Sequence, residues 1–408
     1  MNKTTLKSYA RLIAKMGVNI QKGQTVNIYA ELDQPEFVAI LVDECYRAGA
    51  GKVNVEWSYQ PLTKLNVRHC KASVLEKVED WEIEKMKHRV ETLPAMIYLE
   101  SSDPDGLAGI NQQKLIKASQ KKRMIMKPYR DEMENKYQWC IAAVPGKAWA
   151  KKLFPELRAS AAVEKLWEAI LSCARAEGDG EANWRAHNED LQKKCERLNS
   201  LGLAELKYKS SNGTDLTVGL IPEGLFLGGS EKLLGKDVEY NPNIPSEEIF
   251  TSPMRGKAEG IVYSTKPLNF QGTLIDNFSI RFENGKAVEA HAEKNEELLQ
   301  KMLAMDEGAA YLGECALVPY DSPINNSGIL FYNTLFDENA CCHLAIGMGF
   351  SNCIKDFDKY TLKECQDMGI NDSVIHVDFM MGSEDLEIIG VCRDGREVAI
   401  FKNGNWAF

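Results

Sequence analysis

The segment VIHVDFMMGS, residues 374–383, places a histidine and an aspartate two positions apart in an otherwise apolar stretch. Alternate side chains of a β-strand point to the same face, so His376 and Asp378 share one face of the predicted strand. Two interpretations are open for this segment alone. The pair could lie on the solvated face of an antiparallel sheet, or it could form one wall of a metal site. Partners elsewhere in the chain distinguish the two.

The chain has six histidines, and one other lies in an apolar segment. His343 stands in ENACCHLAIGMGF, residues 338–350, next to cysteines and aliphatic residues. A histidine in such a run could be a hydrogen-bonded core residue or a metal ligand. The remaining four lie in polar surroundings and are expected on the surface: His69, His88, His187 and His291.

Carboxylates in apolar or turn-rich segments are candidate ligands, because an ionised carboxylate is costly to bury without a cation. Glu247 and Glu248 follow a proline in NPNIPSEEIFTSP, residues 241–253. Glu314 is the one charged residue of the strand-like segment YLGECALVPY, residues 311–320. Each of these acids could also be an ordinary exposed residue when it is considered by itself.

Two histidines and three carboxylates form a set that suits two divalent cations, with one histidine and one terminal carboxylate for each ion and the third carboxylate between them: Glu248, Glu314, His343, His376 and Asp378. Three carboxylate charges against four metal charges leave the site positive, so it would hold a bridging water as hydroxide near neutral pH. Nitrogen and oxygen ligands without thiolate predict Zn, Co or Mn, and Mg suits imidazole ligands less well.

Three segments, in this order and spacing, resemble the M29 family of metallo-aminopeptidases (thermophilic, aminopeptidase T/S-like): NPNIPSEEIFTSP, LGECALVPYDSPINNSGILFYNTLFDENACCHLAIG and IHVDFMMGS. The resemblance covers essentially the whole chain. It implies an N-terminal α/β domain, a C-terminal domain with a dinuclear metal site, and a homodimer whose active sites face an internal cavity. It also implies that the same five residues bind the metals and that short peptides are the substrates.

Within this expected site, we predict that Asp378 bridges the two ions and that His376 binds one of them. Glu247 is the candidate general base, which takes the proton of the attacking water and passes it to the leaving amine. Neighbours on an extended strand point to opposite faces, so Glu247 reaches the water only if Pro245 and Ser246 bend the chain. Otherwise Glu247 is a surface acid or one that supports a ligand.

Many M29 enzymes have a tyrosine seven residues after the histidine of the CHLA segment, whereas this chain has Phe350. A phenyl ring cannot donate the hydrogen bond that a phenol would give to a tetrahedral intermediate. Either another donor serves, with Tyr320, Tyr332 and Tyr360 as candidates, or catalysis is weaker. The alternative to an aminopeptidase is therefore a weak or inactive metal- or peptide-binding protein. Intact ligands argue against it, since decayed sites usually lose charged ligands.

Helices and strands alternate over about the first 150 residues, which predicts an α/β domain with a mainly parallel sheet. The predicted strands are 25–30, 52–57, 95–101 and 140–144. Neither a GxGxxG nor a GxxxxGK[ST] motif follows any of them, which argues against a nucleotide-binding oxidoreductase. The first 17 residues have the periodic apolar pattern of a helix and not that of a signal peptide.

Beyond about residue 203, short strands and turns predominate. Asn212 and Gly213 lie between two alternating runs and predict a hairpin. The acidic stretch EGDGE, residues 177–181, is a candidate linker. We therefore expect the α/β domain over residues 1–180, and over residues 181–408 an α+β catalytic domain with a mainly antiparallel sheet and the metal site.

At 408 residues the chain is long enough for two cores. Its formal net charge of −10 argues against a nucleic-acid partner, and no run of about 18 apolar residues predicts a membrane span. Eleven cysteines at irregular spacing, without a CxxC pair, are typical of a reduced cytoplasmic protein. Four of them lie in apolar runs and are expected in the core: Cys45, Cys140, Cys173 and Cys315.

Overall fold

The computed structural model describes residues 1–270 and 272–408. The chain forms two compact units. The first consists mainly of Met1–His187 and Ser230–Ser246, and the second of Asn188–Gly229, Glu247–Phe270 and Leu274–Phe408. The chain thus returns to the first unit after entering the second, whereas a single boundary after residue 180 was expected. None of the helices in the two described stretches has the length and apolar character that crossing a membrane requires.

The first unit is built on a five-stranded sheet in which all strands are parallel. In spatial order the strands are Asn243–Ile244, Trp139–Ala143, Ala95–Glu100, Thr25–Glu31 and Lys52–Ser58. The inner strands are nearly continuous apolar runs, as parallel strands covered on both faces require, and Val26, Ile28 and Ile97 are fully buried. A second, two-stranded sheet pairs Glu231–Lys232 with Glu239–Tyr240. The predicted parallel sheet is confirmed.

Helices alternate with these strands. Their bounds are Lys3–Leu12 with the π-helical turn Ile13–Gly17, Pro35–Ala48, Gln60–His69, Ala72–Leu75, Asp80–Thr92, Gln112–Met133, Lys147–Leu153 and Ala159–Cys173, followed by Gly180–Ser200. Helix Pro35–Ala48 illustrates the sequence features that favour a helix in this unit. Proline occupies its first turn, its buried side chains recur at helical spacing, and Gly49 ends it at φ 113°.

The second unit contains a large antiparallel sheet. In spatial order its strands are Leu268–Phe270, Thr273–Glu283, Pro253–Tyr263, Asp215–Leu220, Leu203–Lys209, Glu387–Cys392, Glu397–Lys402 and Asn405–Trp406, with Lys286–Lys294 beside the second. The predicted hairpin is confirmed: Lys209 pairs with Asp215, and Gly213 adopts φ 101° in the turn.

A five-stranded antiparallel sheet in the same unit, called the site sheet below, carries the candidate ligands. In spatial order its strands are His376–Met380, His343–Gly347, Leu312–Leu317, Ile249–Thr251 and Leu227–Gly228. The short helices of this unit are Glu296–Leu303, Pro323–Asn326, Thr334–Asp337 and Leu362–Asp367, with 3₁₀ turns at Gly308–Ala310, Glu338–Ala340, Ser351–Cys353 and Phe357–Lys359. The mainly antiparallel sheet predicted for the C-terminal part of the chain is confirmed.

The cysteine prediction is confirmed, and one histidine prediction is wrong. The four cysteines expected in the core are buried and free. His69, His88 and His291 are exposed, but His187 is buried, with Nε2 2.7 Å from the carbonyl oxygen of Ser246. Trp184, His187 and Leu191 recur at helical spacing and are all buried, and this periodic signal identifies the inner face of the helix.

Candidate metal centre

All five candidate ligands lie in the site sheet or directly beside it. Glu314, His343, His376 and Asp378 belong to three neighbouring strands, and Glu248 immediately precedes the strand Ile249–Thr251. The hydrogen-bond register of the strands determines which of these side chains share a face.

The strand His376–Met380 has the regular geometry that its sequence predicts. It pairs with His343–Gly347 without any shift of register, and Nε2 of His376 lies 3.1 Å from Oδ1 of Asp378. Nδ1 of His376 lies 2.7 Å from the carbonyl oxygen of Met348. Because a carbonyl oxygen only accepts, Nδ1 carries a hydrogen and Nε2 faces the carboxylates, to which it donates when the ring is protonated.

Glu314 reaches the same side of the sheet through a β-bulge. Leu312 pairs with Ile346, but Glu314 pairs with Ala345. Two steps along one strand therefore match one step along the other, and Gly313 is the extra residue.

The bulge decides which way Glu314 points. In an unbroken register Glu314 would lie opposite Leu344, whose side chain points to the other face of the sheet. The extra residue must be glycine, because a Cβ on Gly313 would lie 2.3 Å from the carbonyl oxygen of Met348. The one-residue bulge at Gly313 thus directs the carboxylate of Glu314 toward the site.

The register also leaves space between the carboxylates. Glu314 and Asp378 both pair with Ala345 on the strand that separates theirs, so the three side chains form a row on one face. The small methyl group of Ala345 allows the longer side chains to approach each other over it. Accordingly, Nε2 of His376 lies 3.1 Å from Oε2 of Glu314 as well as from Asp378.

His343 and Glu248 form a second, more deeply buried contact. Nε2 of His343 lies 3.3 Å from Oε2 of Glu248, and the two side chains are 1% and 10% exposed. Nδ1 of His343 lies 2.8 Å from the carbonyl oxygen of Glu338. As for His376, this hydrogen bond places the hydrogen on Nδ1 and turns Nε2 toward the carboxylates.

Two groups of potential ligand atoms result, and the atoms of each lie within 4.8 Å of one another. One group is Glu248, Glu314 and His343, and the other is Glu314, His376 and Asp378. Glu314 belongs to both. The carboxylate that the two groups have in common is therefore Glu314, whereas Asp378, the predicted bridge, belongs to one group.

The buried charges of the cluster shift one another's pKa. Burial raises the pKa of Glu314 to about 7, although its hydrogen bond to His376 acts in the opposite direction. Burial also opposes ionisation of Asp378, but the charge of His376 and its hydrogen bond lower the pKa of Asp378 to about 2.

The histidines respond to the same carboxylates. Burial disfavours protonation of both rings, yet Glu248 raises the pKa of His343, and Asp378 and Glu314 raise that of His376, in each case well above the ordinary value. The cluster therefore attracts positive charge, which divalent cations can supply in place of protons. Imidazole and carboxylate donors fit such cations.

Comparison with known proteins identifies the family of the chain. The profile of the family described as thermophilic metalloprotease (M29) matches residues 2–406. The chain belongs to the M29 family. Aminopeptidase AmpS of Bacillus subtilis (strain 168) is 39% identical over 406 residues, which are 99% of this chain and 98% of that protein. Aminopeptidase 2 of Geobacillus stearothermophilus is 38% identical over 405 residues, with the same coverage of both chains.

A solved structure has the same fold. The structure of wild-type AmpT from Thermus thermophilus superposes with a TM-score of 0.89 at 36% identity and covers 100% of both chains. The resemblance inferred from the motifs is therefore confirmed. The protein is a metal-dependent aminopeptidase, a hydrolase that acts on peptide bonds.

Glu338 is a further acid of this M29 site that the sequence analysis missed. It is 8% exposed. Burial, together with the charges of Asp378 and Glu248, raises its pKa well above the usual range, whereas His343 opposes the shift. Its signal in the sequence was an acid five residues before His343, next to an apolar run. The cluster therefore contains four carboxyl groups and not three.

Glu247 is buried beside this cluster, with 5% exposure. Its backbone N–H donates to Oδ1 of Asn339 at 2.6 Å. Neither group of potential ligand atoms in the described residues includes Glu247. Its role as general base remains a prediction.

Phe350 lies at the site, where many M29 enzymes have tyrosine. Its ring centroid is 4.8 Å from that of His376 and 5.5 Å from that of Phe250. The departure from the family pattern therefore concerns a residue in contact with a candidate ligand. Among the tyrosines considered as substitutes, Tyr360 is 42% exposed.

Proposed function

We propose that this protein uses two divalent cations to release the N-terminal amino acid from short peptides. The observation that carries the proposal is the pair of ligand groups that share Glu314. Glu248 and His343 would bind one ion, and His376 and Asp378 the other. The donors favour Zn, Co or Mn, with Mg possible.

The bound ions would supply a bridging hydroxide as nucleophile and Lewis acidity toward the scissile carbonyl. The residues of the chain hold the site together and select the substrate. Nδ1 of each histidine is engaged by a backbone carbonyl, which fixes the ring orientation. The free α-amine, which only the end of a peptide offers, would be bound as a neutral nitrogen donor at this centre. This requirement for a free amine supports an aminopeptidase over an endopeptidase.

Glu247 is our candidate for moving the proton from the water to the leaving amine. Its burial and its position next to Glu248 support this role. With metal content intact, Glu247→Gln should lower kcat by at least about 100-fold, because a general base contributes that much or more. The exposed Glu384→Gln, a matched loss of one carboxylate, should leave kcat unchanged. A loss below about tenfold in Glu247→Gln would exclude the role.

Two other functions are less well supported. A nucleotide-binding oxidoreductase would need a phosphate site at the carboxyl ends of the parallel strands. The crevice there, of about 490 Å³, is lined by the acids Glu31, Asp33, Asp103 and Asp105, which repel phosphate. A weak or inactive binding protein is suggested by Phe350, but the intact ligand set argues against it.

Metal analysis and a chromogenic aminoacyl amide separate these functions. We expect two ions per chain and release of the amino acid, lost with a chelator and restored by Zn, Co or Mn. The same amide with an acetylated α-amine should not be hydrolysed, because the acetylated nitrogen is no longer a donor that the centre can bind. Bound metal without hydrolysis across varied aminoacyl groups would identify a binding protein instead.

We also infer a cytoplasmic homodimer whose catalytic domain is the second compact unit, which contains all five candidate ligands. Eleven free cysteines support a reducing compartment. The family resemblance supports the dimer and the division of the chain. Sedimentation of the metal-loaded protein at about twice the mass of one chain would support the dimer, and a single-chain mass would exclude it.

A further inference from the structure

Asn339 is a fully buried polar residue next to the candidate metal centre. It is 0% exposed and lies in the turn Glu338–Ala340. Its Oδ1 accepts a hydrogen bond from the backbone N–H of Glu247 at 2.6 Å, and its Nδ2 donates to the carbonyl oxygen of Leu335 at 2.9 Å. Burial of an amide side chain is costly unless its donors and acceptors are paired, so this arrangement requires an explanation.

The two hydrogen bonds join distant parts of the chain. One side is the corner that contains Glu247 and Glu248. The other is the segment from Leu335 to His343, which presents the Glu338 carbonyl to Nδ1 of His343 at 2.8 Å. Between the two lies the contact of Glu248 with Nε2 of His343 at 3.3 Å.

We propose that Asn339 is a positioning residue that sets the separation of Glu248 and His343. The side-chain amide ties the backbone N–H of Glu247, one residue before Glu248, to the segment that orients the His343 ring. Without it, the Glu247 N–H would be buried without an acceptor, and the corner would shift to find one. The inference rests on the metal site of the proposed function, because it concerns how that site is shaped.

The proposal predicts an asymmetric effect on the two ions. Asn339 contacts the elements that carry Glu248 and His343. His376 is oriented by a different carbonyl, that of Met348. Loss of the amide should therefore weaken the ion bound by Glu248, Glu314 and His343 far more than the ion bound by Glu314, His376 and Asp378.

The test is calorimetric titration of metal-free protein with Zn²⁺. Asn339→Ala should weaken one of the two binding steps by about 10- to 100-fold, the usual cost of removing a residue that orients a metal ligand. In a His376→Ala background, Asn339→Ala should weaken binding of the one ion that remains. In a His343→Ala background Asn339→Ala should have almost no further effect, because the half-site that it shapes is already gone.

Two variants separate positioning from general stability and charge. Asn371 is 1% exposed, and its Nδ2 donates to the carbonyl oxygens of Gly308 and Gly347, so Asn371→Ala removes an equally buried amide. It should lower the melting temperature without weakening the Glu248–His343 step. Asn339→Asp has nearly the same shape and keeps the acceptor for Glu247, but its second oxygen would face the Leu335 carbonyl and the Glu338 carboxyl, to which Nδ2 of Asn339 donates at 2.9 and 3.5 Å. It should therefore restore the weakened step in part and leave the other step unchanged. Strengthening of both steps would indicate a charge effect and contradict the proposal.

The outcomes also separate this inference from the proposed function. If the wild-type protein binds no Zn²⁺, the proposed function fails. If the wild type binds two ions and Asn339→Ala binds both equally well, or loses both equally, only the positioning role fails. Should Asn339→Ala not fold, Asn339→Ser, whose shorter hydroxyl reaches less far, takes its place against Asn339→Asp with the same expected outcomes.

Discussion

The strands His376–Met380 and Leu312–Leu317 both present carboxylates to the same site, but their backbones do so differently. In the first, His376 and Asp378 share a face because they are two residues apart in a regular strand. In the second, Glu314 faces the site because Gly313 forms a bulge. Leu312 and Glu314 are also two residues apart, yet they point to opposite faces.

The difference shows that residue spacing and strand register together determine which side chains face the site. A regular strand converts the order of residues directly into geometry. In a bulged strand, the face to which a side chain points also depends on where the register with the partner strand shifts. The residue that both ligand groups share is the one placed by the bulge. The following predictions test this contrast between the two strands.

Loss of a ligand should be most severe on the bulged strand. Because Glu314 belongs to both ligand groups, Glu314→Gln should lose both ions and reduce hydrolysis to background. Asp378→Asn, the matched change on the regular strand, should lose chiefly one ion, as should His376→Ala. Metal content after gel filtration measures this. Retention of one ion by Glu314→Gln together with loss of both by Asp378→Asn would return the bridging role to Asp378.

Removal of the bulge should be nearly as damaging, although it changes no ligand. In Gly313→Ala the added methyl would collide with the Met348 carbonyl, so the strand must shift and carry Glu314 with it. We expect weaker binding of both ions, by at least about tenfold, and a lower melting temperature. Gly180→Ala, where the methyl meets its nearest atom at 3.4 Å, is the control and should change neither. Unchanged titration of both ions in Gly313→Ala would show that the bulge does not position Glu314.

Beside the regular strand, a hydroxyl group should improve catalysis. Phe350→Tyr adds a donor to a ring that packs against His376, and a donor to a developing oxyanion can contribute about 100- to 1,000-fold in kcat. We expect a rise in kcat with little change in KM. Phe250→Tyr adds the same hydroxyl to the neighbouring ring and serves as the control. An equal rise in both variants, or none in Phe350→Tyr, would contradict a specific role.

The smallest expected effect is on stability without metal. Burial raises the pKa of Glu314 from 4.5 to about 7, so its folded form binds a proton more tightly than its unfolded form. The free energy of unfolding of protein freed of metal by a chelator should therefore decrease as the pH rises from about 4.5 to 7, by on the order of 1–3 kcal/mol. The histidines, whose pKa values are also raised, extend the decrease above pH 6.5.

Asp378 should behave in the opposite way. Its pKa is lowered to about 2, so its contribution is present above about pH 4 and is lost as the pH falls toward 2. Urea unfolding at pH 5 and pH 8 measures the effect of Glu314, and Glu314→Gln should reduce the difference between the two. A metal-free protein that becomes more stable between pH 5 and 8 would contradict these assignments.

Particular residues show how far sequence analysis reached. Asn212 and Gly213 predicted a hairpin because their turn preference is local. His187 was misplaced because its polar neighbours along the chain are not its neighbours in the helix packing. Glu338 was missed because an acid beside a turn resembles an exposed residue until the strands enclose it. Asp378 was preferred as the bridge because its position was clear, whereas that of Glu314 depended on an unrecognised bulge.

Residue types and local spacing were enough to indicate the candidate metal donors and the shared face of His376 and Asp378, and the resemblance of three segments to the M29 family indicated an aminopeptidase. Chemistry depends on residue types, and strand periodicity is a local property of the backbone. The tertiary structure decided three other features. These are the face of the sheet to which Glu314 points, the burial of Glu338 in the acidic cluster, and the hydrogen bond between Asn339 and the backbone of Glu247. Each depends on register or contact between segments far apart in the chain, which local spacing does not encode.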